Sequence, residues 1–258
     1  MTEIPAIAPA VATAYVRNWM TPSPFANPIF VALDTPDLGR ARDLADAVRP
    51  YVGGLKVGLE FLTAQGPSGA AEIVSLGLPV FADVKFHDIP NTVAGAAREI
   101  ARLGISLFNI HASGGIAMMR AAKQAAAETN PQMKVIGVTV LTSLTDGDLA
   151  VVGQSPPARA QVERLARLAQ ASGLDGVVCS PREIGIVRRA CGPAFLVVTP
   201  GIRPAGAALA DQRRVMSPAQ AIAAGADILV IGRPITAAAD PGEAARVIAE
   251  EVARAPAA

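Results

Sequence analysis

The chain has 258 residues, of which 51% are hydrophobic, 17% charged and 4% aromatic, and its 23 Lys and Arg against 22 Asp and Glu leave a net charge of +1. That balance argues against a nucleic-acid binder or a basic membrane anchor, and so few aromatics do not build a base-stacking platform. The mean hydropathy of +0.37 comes largely from Ala-rich stretches, and no apolar run approaches the roughly 20 residues of a membrane span.

Residues 1–27 are rich in Ala and Pro and read as an N-terminal arm; they make a poor signal peptide, with Glu3 early and no continuous apolar core. From Pro28 onward, short apolar or β-branched runs alternate with longer Ala/Leu/Arg stretches of helical spacing. The predicted strands are Ile29–Asp34, Gly54–Val57, Val80–Lys85, Leu107–His111, Lys134–Val140, Gly176–Cys179, Phe195–Thr199 and Ile228–Gly232. Nearly continuous apolar strands separated by helices imply a parallel sheet covered on its faces. Eight such units in a chain of this length favour a closed (β/α)8 TIM barrel, a single domain spanning 28–254. Helix starts agree: Thr35–Pro36–Asp37, Pro90–Asn91–Thr92, Ser180–Pro181–Arg182–Glu183 and Ser217–Pro218 each follow a strand with a cap residue or an early proline. One connection, Gly201 to Met216, is long for a compact domain and carries Arg203, Asp211, Gln212, Arg213 and Arg214, which marks it as functional.

Two cysteines, Cys179 and Cys191, and two histidines, His87 and His111, provide neither a disulfide framework nor a zinc site. The expectation is a cytoplasmic protein without a metal. The chemistry is sought instead at the C-terminal ends of the strands, where barrel enzymes work. The first strand ends in Asp34, the second carries Lys56, and the third ends Asp83–Val84–Lys85, which puts Asp83 and Lys85 on one face; Asp88 follows in the loop. Structural ion pairs are the bland explanation, but buried pairs stabilise no better than apolar packing, so alternating carboxylates and ammoniums point to a task. There is no Ser–His or Cys–His pair. A lysine between carboxylates stays protonated and suits general-acid work or stabilisation of developing negative charge. After the seventh and eighth strands come Pro200–Gly201–Ile202–Arg203 and Gly232–Arg233–Pro234–Ile235. That is the usual phosphate position of barrels, and a glycine followed by an arginine suits an anion. The residues alone therefore describe a cofactor-free barrel enzyme acting on a phosphate ester.

The run Asp83–Val84–Lys85–Phe86–His87–Asp88–Ile89–Pro90–Asn91–Thr92 resembles the Asp-x-Lys-x-x-Asp-Ile-Pro-Asn-Thr signature of the orotidine 5′-phosphate decarboxylase family. The resemblance continues in order over residues 28–252, through Ala32–Leu33–Asp34, Leu55–Lys56–Val57–Gly58, Leu141–Thr142–Ser143, Thr199–Pro200–Gly201–Ile202–Arg203, Asp211–Gln212 and Ile231–Gly232–Arg233–Pro234–Ile235. It implies conversion of orotidine 5′-monophosphate to UMP and CO2 without cofactor or metal. It implies that Asp34 and Lys56 bind ribose hydroxyls and that Asp83 faces the departing carboxylate. Lys85 stabilises and protonates C6, and Thr142 meets the pyrimidine edge. Arg203, Gln212, Gly232 and Arg233 hold the phosphate. It further implies a homodimer in which Asp88 and Thr92, with Ile89 beside them at the substrate, complete the partner's site. The N-terminal arm has no counterpart in it. Two rivals are a magnesium-dependent sugar-phosphate decarboxylase or aldolase of the same barrel suite, which lacks Asp-Ile-Pro-Asn-Thr, and a catalytically silent nucleotide-binding barrel, which should lack one of the charged residues.

Overall fold

The computed structural model describes residues 24–204 and 216–256. Eight parallel strands close into a barrel in sequence order: β1 (Ile29–Ala32), β2 (Gly54–Val57), β3 (Val80–Phe86), β4 (Leu107–His111), β5 (Lys134–Val138), β6 (Gly176–Val178), β7 (Leu196–Thr199) and β8 (Ile228–Ile231). Pairing of Ile29 with Leu229 and of Val31 with Ile231 closes the ring. The predicted strands are all present. Four end early, at Ala32, Val138, Val178 and Ile231, because the chain turns outward into the loops there and leaves the ladder.

The strand period of two sorts the apolar side chains into two cores. Phe30, Ala32, Phe81, Leu107, Ile136, Val198, Ile228 and Val230 fill the barrel. The alternate residues, among them Ile29, Val31, Leu55, Phe108, Val197 and Leu229, face the surrounding helices. Those helices are α1 (Leu38–Val48), α2 (Leu59–Val74), α3 (Pro90–Arg102), α4 (Gly115–Thr129), α5 (Asp146–Val151), α6 (Ala158–Ala171), α7 (Ile184–Cys191), α8 (Pro218–Ala223), α9 (Arg233–Thr236) and α10 (Pro241–Ala253). They turn small buried residues inward, such as Ala41 and Ala45 of α1, Ala97 and Ala101 of α3, and Ala122 and Ala126 of α4. Short side chains let the helix backbones lie close to the barrel at native packing density.

The lower end of the barrel is tied off by polar side chains placed just before the strands. The Asp175 carboxylate accepts from the Val135 N–H at 2.7 Å and from Lys123 Nζ at 2.5 Å. The Asp227 carboxylate accepts from the Val197 N–H at 2.7 Å and pairs with Arg188, which also donates to the Phe195 and Gly225 carbonyls. Residues 24–27, read as arm from the sequence, belong to this closure. The Phe25 ring meets Phe30 edge-on at 5.1 Å, and Asn27 caps Ile29 N–H and donates to the Tyr51 carbonyl. Residues 1–23 lie outside the described residues.

One predicted cap shifts. The N-cap of α1 is Asp37, whose carboxylate accepts from Arg40 N–H at 2.6 Å, while Thr35 Oγ1, two residues earlier, accepts from Asp37 N–H. A carboxylate at the positive helix end is the stronger cap of the two. Ser180 and Ser217 both form capping boxes as the sequence suggests, with Glu183 and Gln220 respectively.

Candidate active site

Four of the five clustered ionisable groups form one chain of contacts across the tops of β1, β2 and β3. Lys56 projects into the barrel from β2 and its Nζ lies 2.8 Å from Asp34 Oδ1 and 3.5 Å from Asp83 Oδ2. Asp83 Oδ1 in turn accepts from Lys85 Nζ at 2.5 Å and from Asn109 Nδ2 at 2.7 Å. The Lys56 side chain is 6% exposed and that of Asp83 18%, so this is a buried network with two ammoniums on one carboxylate. Burial pushes the Asp83 carboxyl up, but the Lys56 and Lys85 ammoniums, together with hydrogen bonds from Lys85 and Asn109, outweigh it and hold the carboxyl below its ordinary range.

Lys85 reaches Asp83 by an irregular route. The β3–β4 register runs Ala82 with Phe108 and then Phe86 with Ile110, so residues 83, 84 and 85 oppose Asn109 alone. Within that bulge Lys85 has φ of 50°, the one non-glycine residue in the left-handed region among the described residues. Its backbone N–H donates to Asn109 Oδ1 at 2.7 Å. Above Lys56 the chain turns into α2 at Gly58. A Cβ there would sit 2.8 Å from Lys56 Nζ and 2.9 Å from Asp34 Oδ1, so a side chain at 58 would break into the ion pairs.

Two adjacent cavities open on this network. One, of about 250 Å³, is lined by Asp34, Lys56, Asp83, Arg203, Gly232 and Arg233 among others. The other, of about 160 Å³, is mainly apolar and includes Lys85, Asn109, Val138, Leu141 and Thr142. Asp83, Pro200 and Val230 line both, so the charged chain stands between a cationic end and an apolar end. Arg203 is 9% exposed and donates to the Ile202 carbonyl at 2.9 Å. Burial and the neighbouring Arg233 guanidinium both push its pKa down, the condition an entering anion relieves. Among the described residues no carboxylate pairs with Arg203. The two ends of the long connection are fastened together by the Ile202–Met216 bridge and the bond from Arg203 N–H to the Met216 carbonyl at 3.0 Å. Asp211 and Gln212 lie outside the described residues. At Gly232 a Cβ would make only an ordinary 3.6 Å contact with Ala32, so the fold itself does not require glycine there.

Asp88 does not join the network. Its carboxylate caps the Ile89 N–H at 2.6 Å, and Asp88, Ile89 and Thr92 are exposed on the rim, Ile89 at 67%. The expected crowd of five is therefore four within one chain. His87 and His111 stack with centroids 5.3 Å apart. Burial first, then His87 and Lys85, lower the His111 pKa against the opposing effect of Asp83, so its imidazole is neutral at pH 7. Two larger surface depressions lie elsewhere. One, of about 320 Å³, runs between α6 and α7; the other, of about 450 Å³, lies at the lower end, where Asp175 and Asp227 are occupied in tying strands. No group of three or more His, Cys, Asp and Glu among the described residues is placed to hold a metal ion, and no described helix is long and apolar enough to cross a membrane.

The sequence gives no role to Asn109, and it marks Gly58 only as part of the Leu55–Lys56–Val57–Gly58 resemblance. A polar residue inside the apolar run Leu107–Phe108–Asn109–Ile110 was the available signal for the first.

Residues 27–248 match the family model described as orotidine 5′-phosphate decarboxylase / HUMPS. The chain is 56% identical over 230 residues to a Moorella thermoacetica protein named orotidine 5′-phosphate decarboxylase, covering 87% of this chain and 91% of that one. It is 52% identical to the protein of the same name from Paramagnetospirillum magneticum, covering 88% and 98%. Among solved structures, the orotidine 5′-phosphate decarboxylase of Lactobacillus acidophilus superimposes with a TM-score of 0.78 at 36% identity over 88% of this chain and 99% of that one.

The Asp83 carboxyl yields a pH prediction. Its folded pKa is lowered, so the stability it contributes is complete above the ordinary carboxyl value of 3.8 and is lost as pH falls through the lowered value. Asp83→Asn is expected to cost about 2–4 kcal/mol near neutral pH, because Lys85 then loses its carboxylate partner and Lys56 keeps only Asp34. Urea unfolding of both proteins across pH checks this. The difference is expected to hold constant down to about pH 5 and to shrink only below the ordinary range; a midpoint at or above 3.8 contradicts the lowered pKa.

Proposed function

Because the chain belongs to the orotidine 5′-phosphate decarboxylase / HUMPS family, we infer that it converts orotidine 5′-monophosphate to UMP and CO2, with Lys85 stabilising and protonating the carbon that loses the carboxyl group. This is the last step of de novo pyrimidine synthesis. The observation that carries the reading is the Asp34–Lys56–Asp83–Lys85 chain standing between an arginine-lined cavity and an apolar one. A nucleotide has the same order of parts: phosphate, polar sugar, flat base. The relatives' printed names favour the nucleotide reaction over the sugar-phosphate branch of the family, and each charged residue of the signature is in place.

Arg203 and Arg233, with the open backbone at Gly232, take the phosphate. Asp34 and Lys56 take the ribose hydroxyls. The base enters the apolar cavity, its edge against Thr142, and its carboxylate approaches Asp83. In the chemical step the bond from C6 to the carboxylate breaks, its electron pair stays on C6, CO2 leaves, and a proton passes from Lys85 Nζ to C6. A localised carbanion needs positive charge already aimed at it in a site with little water. At about 4 Å and an effective dielectric of about 20, a unit positive charge supplies roughly 4 kcal/mol to such a centre, and Asp83 holds the ammonium there before substrate arrives. Asp83 beside a carboxylate also repels it, a stress relieved when CO2 departs. The ammonium is the larger contribution.

The domain that does this runs from 28 to 254, and the reading makes the enzyme cytoplasmic, where Cys179 and Cys191, both buried and neither in a disulfide, stay reduced. It also makes the enzyme a homodimer. The exposed rim segment Asp88–Ile89–Pro90–Asn91–Thr92 sits at the start of α3, free of the Asp34–Lys56–Asp83–Lys85 chain, and in the proposed dimer it extends over the neighbour's site with the 67% exposed Ile89 as its apolar contact. Asp88, Ile89 and Thr92 then complete the partner's substrate pocket.

Two experiments test this reading. Loss of orotidine 5′-monophosphate is followed by its ultraviolet absorbance. Lys85→Ala is expected to abolish turnover while UMP still binds. A variant keeping even about a tenth of kcat, a barrier change of only about 1.4 kcal/mol, contradicts the role of proton donor.

The second experiment mixes Lys85→Ala with Asp88→Ala, both inactive alone, under conditions that exchange subunits. Half the dimers are then mixed, and one of their two sites has both residues intact, so about one quarter of wild-type activity is expected to return. No recovery, with exchange verified by mass spectrometry, contradicts the shared site.

A further inference from the structure

We propose that Asn109 is a positioning residue for the reaction: its side-chain amide locks the Lys85 backbone and the Asp83 carboxylate into the one arrangement that aims the Lys85 ammonium. The proposal rests on the reading above that Lys85 is the proton donor.

The bulge in β3 creates the need. Three residues oppose Asn109 alone, so the Lys85 N–H meets a side-chain oxygen where regular pairing would supply a ladder carbonyl. A buried N–H without an acceptor is strongly unfavourable. Asn109 Oδ1 accepts it at 2.7 Å. That bond fixes the orientation of the amide, since the oxygen is committed to Lys85 and Nδ2 is left to donate. Its acceptor is Asp83 Oδ1 at 2.7 Å, the same oxygen that takes Lys85 Nζ at 2.5 Å. The result is a closed cycle: Lys85 backbone, Asn109 amide, Asp83 carboxylate, Lys85 ammonium.

Lys85 at φ of 50° is in a region that a residue with a side chain occupies only when its surroundings enforce it. Asn109 supplies that enforcement from outside β3. It is fully buried, and its pairing partner on β5 is the apolar Ile136. A residue retained only to fill that space would be apolar like Leu107 and Phe108 beside it. Asparagine fits because one planar group must accept on one side and donate on the other.

Two variants separate positioning from packing. Asn109→Asp keeps the shape. Ionised, it accepts from Lys85 N–H but faces Asp83 with a second carboxylate. Protonated, it again accepts with one oxygen and donates with the other. Asn109→Ala can do neither at any pH. Both are expected to lose about 10²-fold in kcat near neutral pH, the order expected from misplacing a reacting group by about an ångström. KM is expected to stay within a few-fold, because the arginine end is untouched. The decisive readout is the ratio of Asn109→Asp to wild-type kcat as pH is lowered. The ionisable groups around position 109 are Asp83 and Lys85 on β3, Lys56 on β2 and His111 on β4; dividing by wild type removes the titration the proteins share, and Asn109→Ala controls for the change at Asp83 when the Asn109 bond is lost.

That ratio is expected to rise toward acid for Asn109→Asp and not to rise for Asn109→Ala. If Asn109→Ala does not fold, the profile of Asn109→Asp decides alone. A flat ratio for Asn109→Asp, a loss confined to KM, or wild-type kcat in Asn109→Ala overturns the proposal. A wild-type protein that does not consume orotidine 5′-monophosphate would instead overturn the function on which it rests.

Discussion

The upper end of this barrel is organised by one buried carboxylate. Asp83 sits where a lone negative charge would be strongly disfavoured, and it is kept ionised by Lys56, Lys85 and Asn109. Each partner arrives from a different strand, so the network exists only when β2, β3 and β4 are in register. Conversely, it dictates local departures from regularity. The β3 ladder opens, Lys85 takes a left-handed conformation, and at the turn into α2 a side chain at 58 would push on the Lys56–Asp34 pair.

That arrangement places charge before the substrate does. On the proposed reaction, Lys85 is already held by Asp83, so little reorganisation is needed when negative charge appears on the ring. The phosphate end works differently. Arg203 and Arg233 lie near each other with Arg203 buried, a cationic pair whose repulsion an anion relieves. On the proposed reading, binding energy gathered there, far from the reacting carbon, orients the base in the apolar cavity. On the proposed reading the phosphate is held from the ends of β7 and β8, while the reacting carbon is served by Lys85 on β3.

Much of this was legible in the sequence, for identifiable reasons. The alternation of short apolar runs with Ala-rich helical stretches yields eight strands because each strand of a parallel barrel is buried on both faces. Asp34, Lys56, Asp83 and Lys85 stood out because charged residues at the ends of such strands are hard to explain by packing. Asp88 was grouped with them by proximity in sequence, yet its carboxylate caps its own turn on the rim; sequence spacing says nothing about where a loop points. Asn109 was missed because a neutral residue within a strand gives no charge signal, and the bulge that makes it necessary depends on the pairing of two strands, a tertiary property. Residues 24–27 were read as arm because their role, closing the lower end against Phe30, lies in contacts far along the chain.

The central claim is that Lys85 exchanges a proton with C6 through a carbanion-like state. The reverse half of that step is observable without decarboxylation, by incubating UMP with the enzyme in D2O and following the C6 hydrogen by NMR. The account predicts that wild type replaces that hydrogen with deuterium and that Lys85→Ala does not, while both bind UMP. Absence of exchange with wild type, or exchange that persists at the same rate in Lys85→Ala, would contradict it.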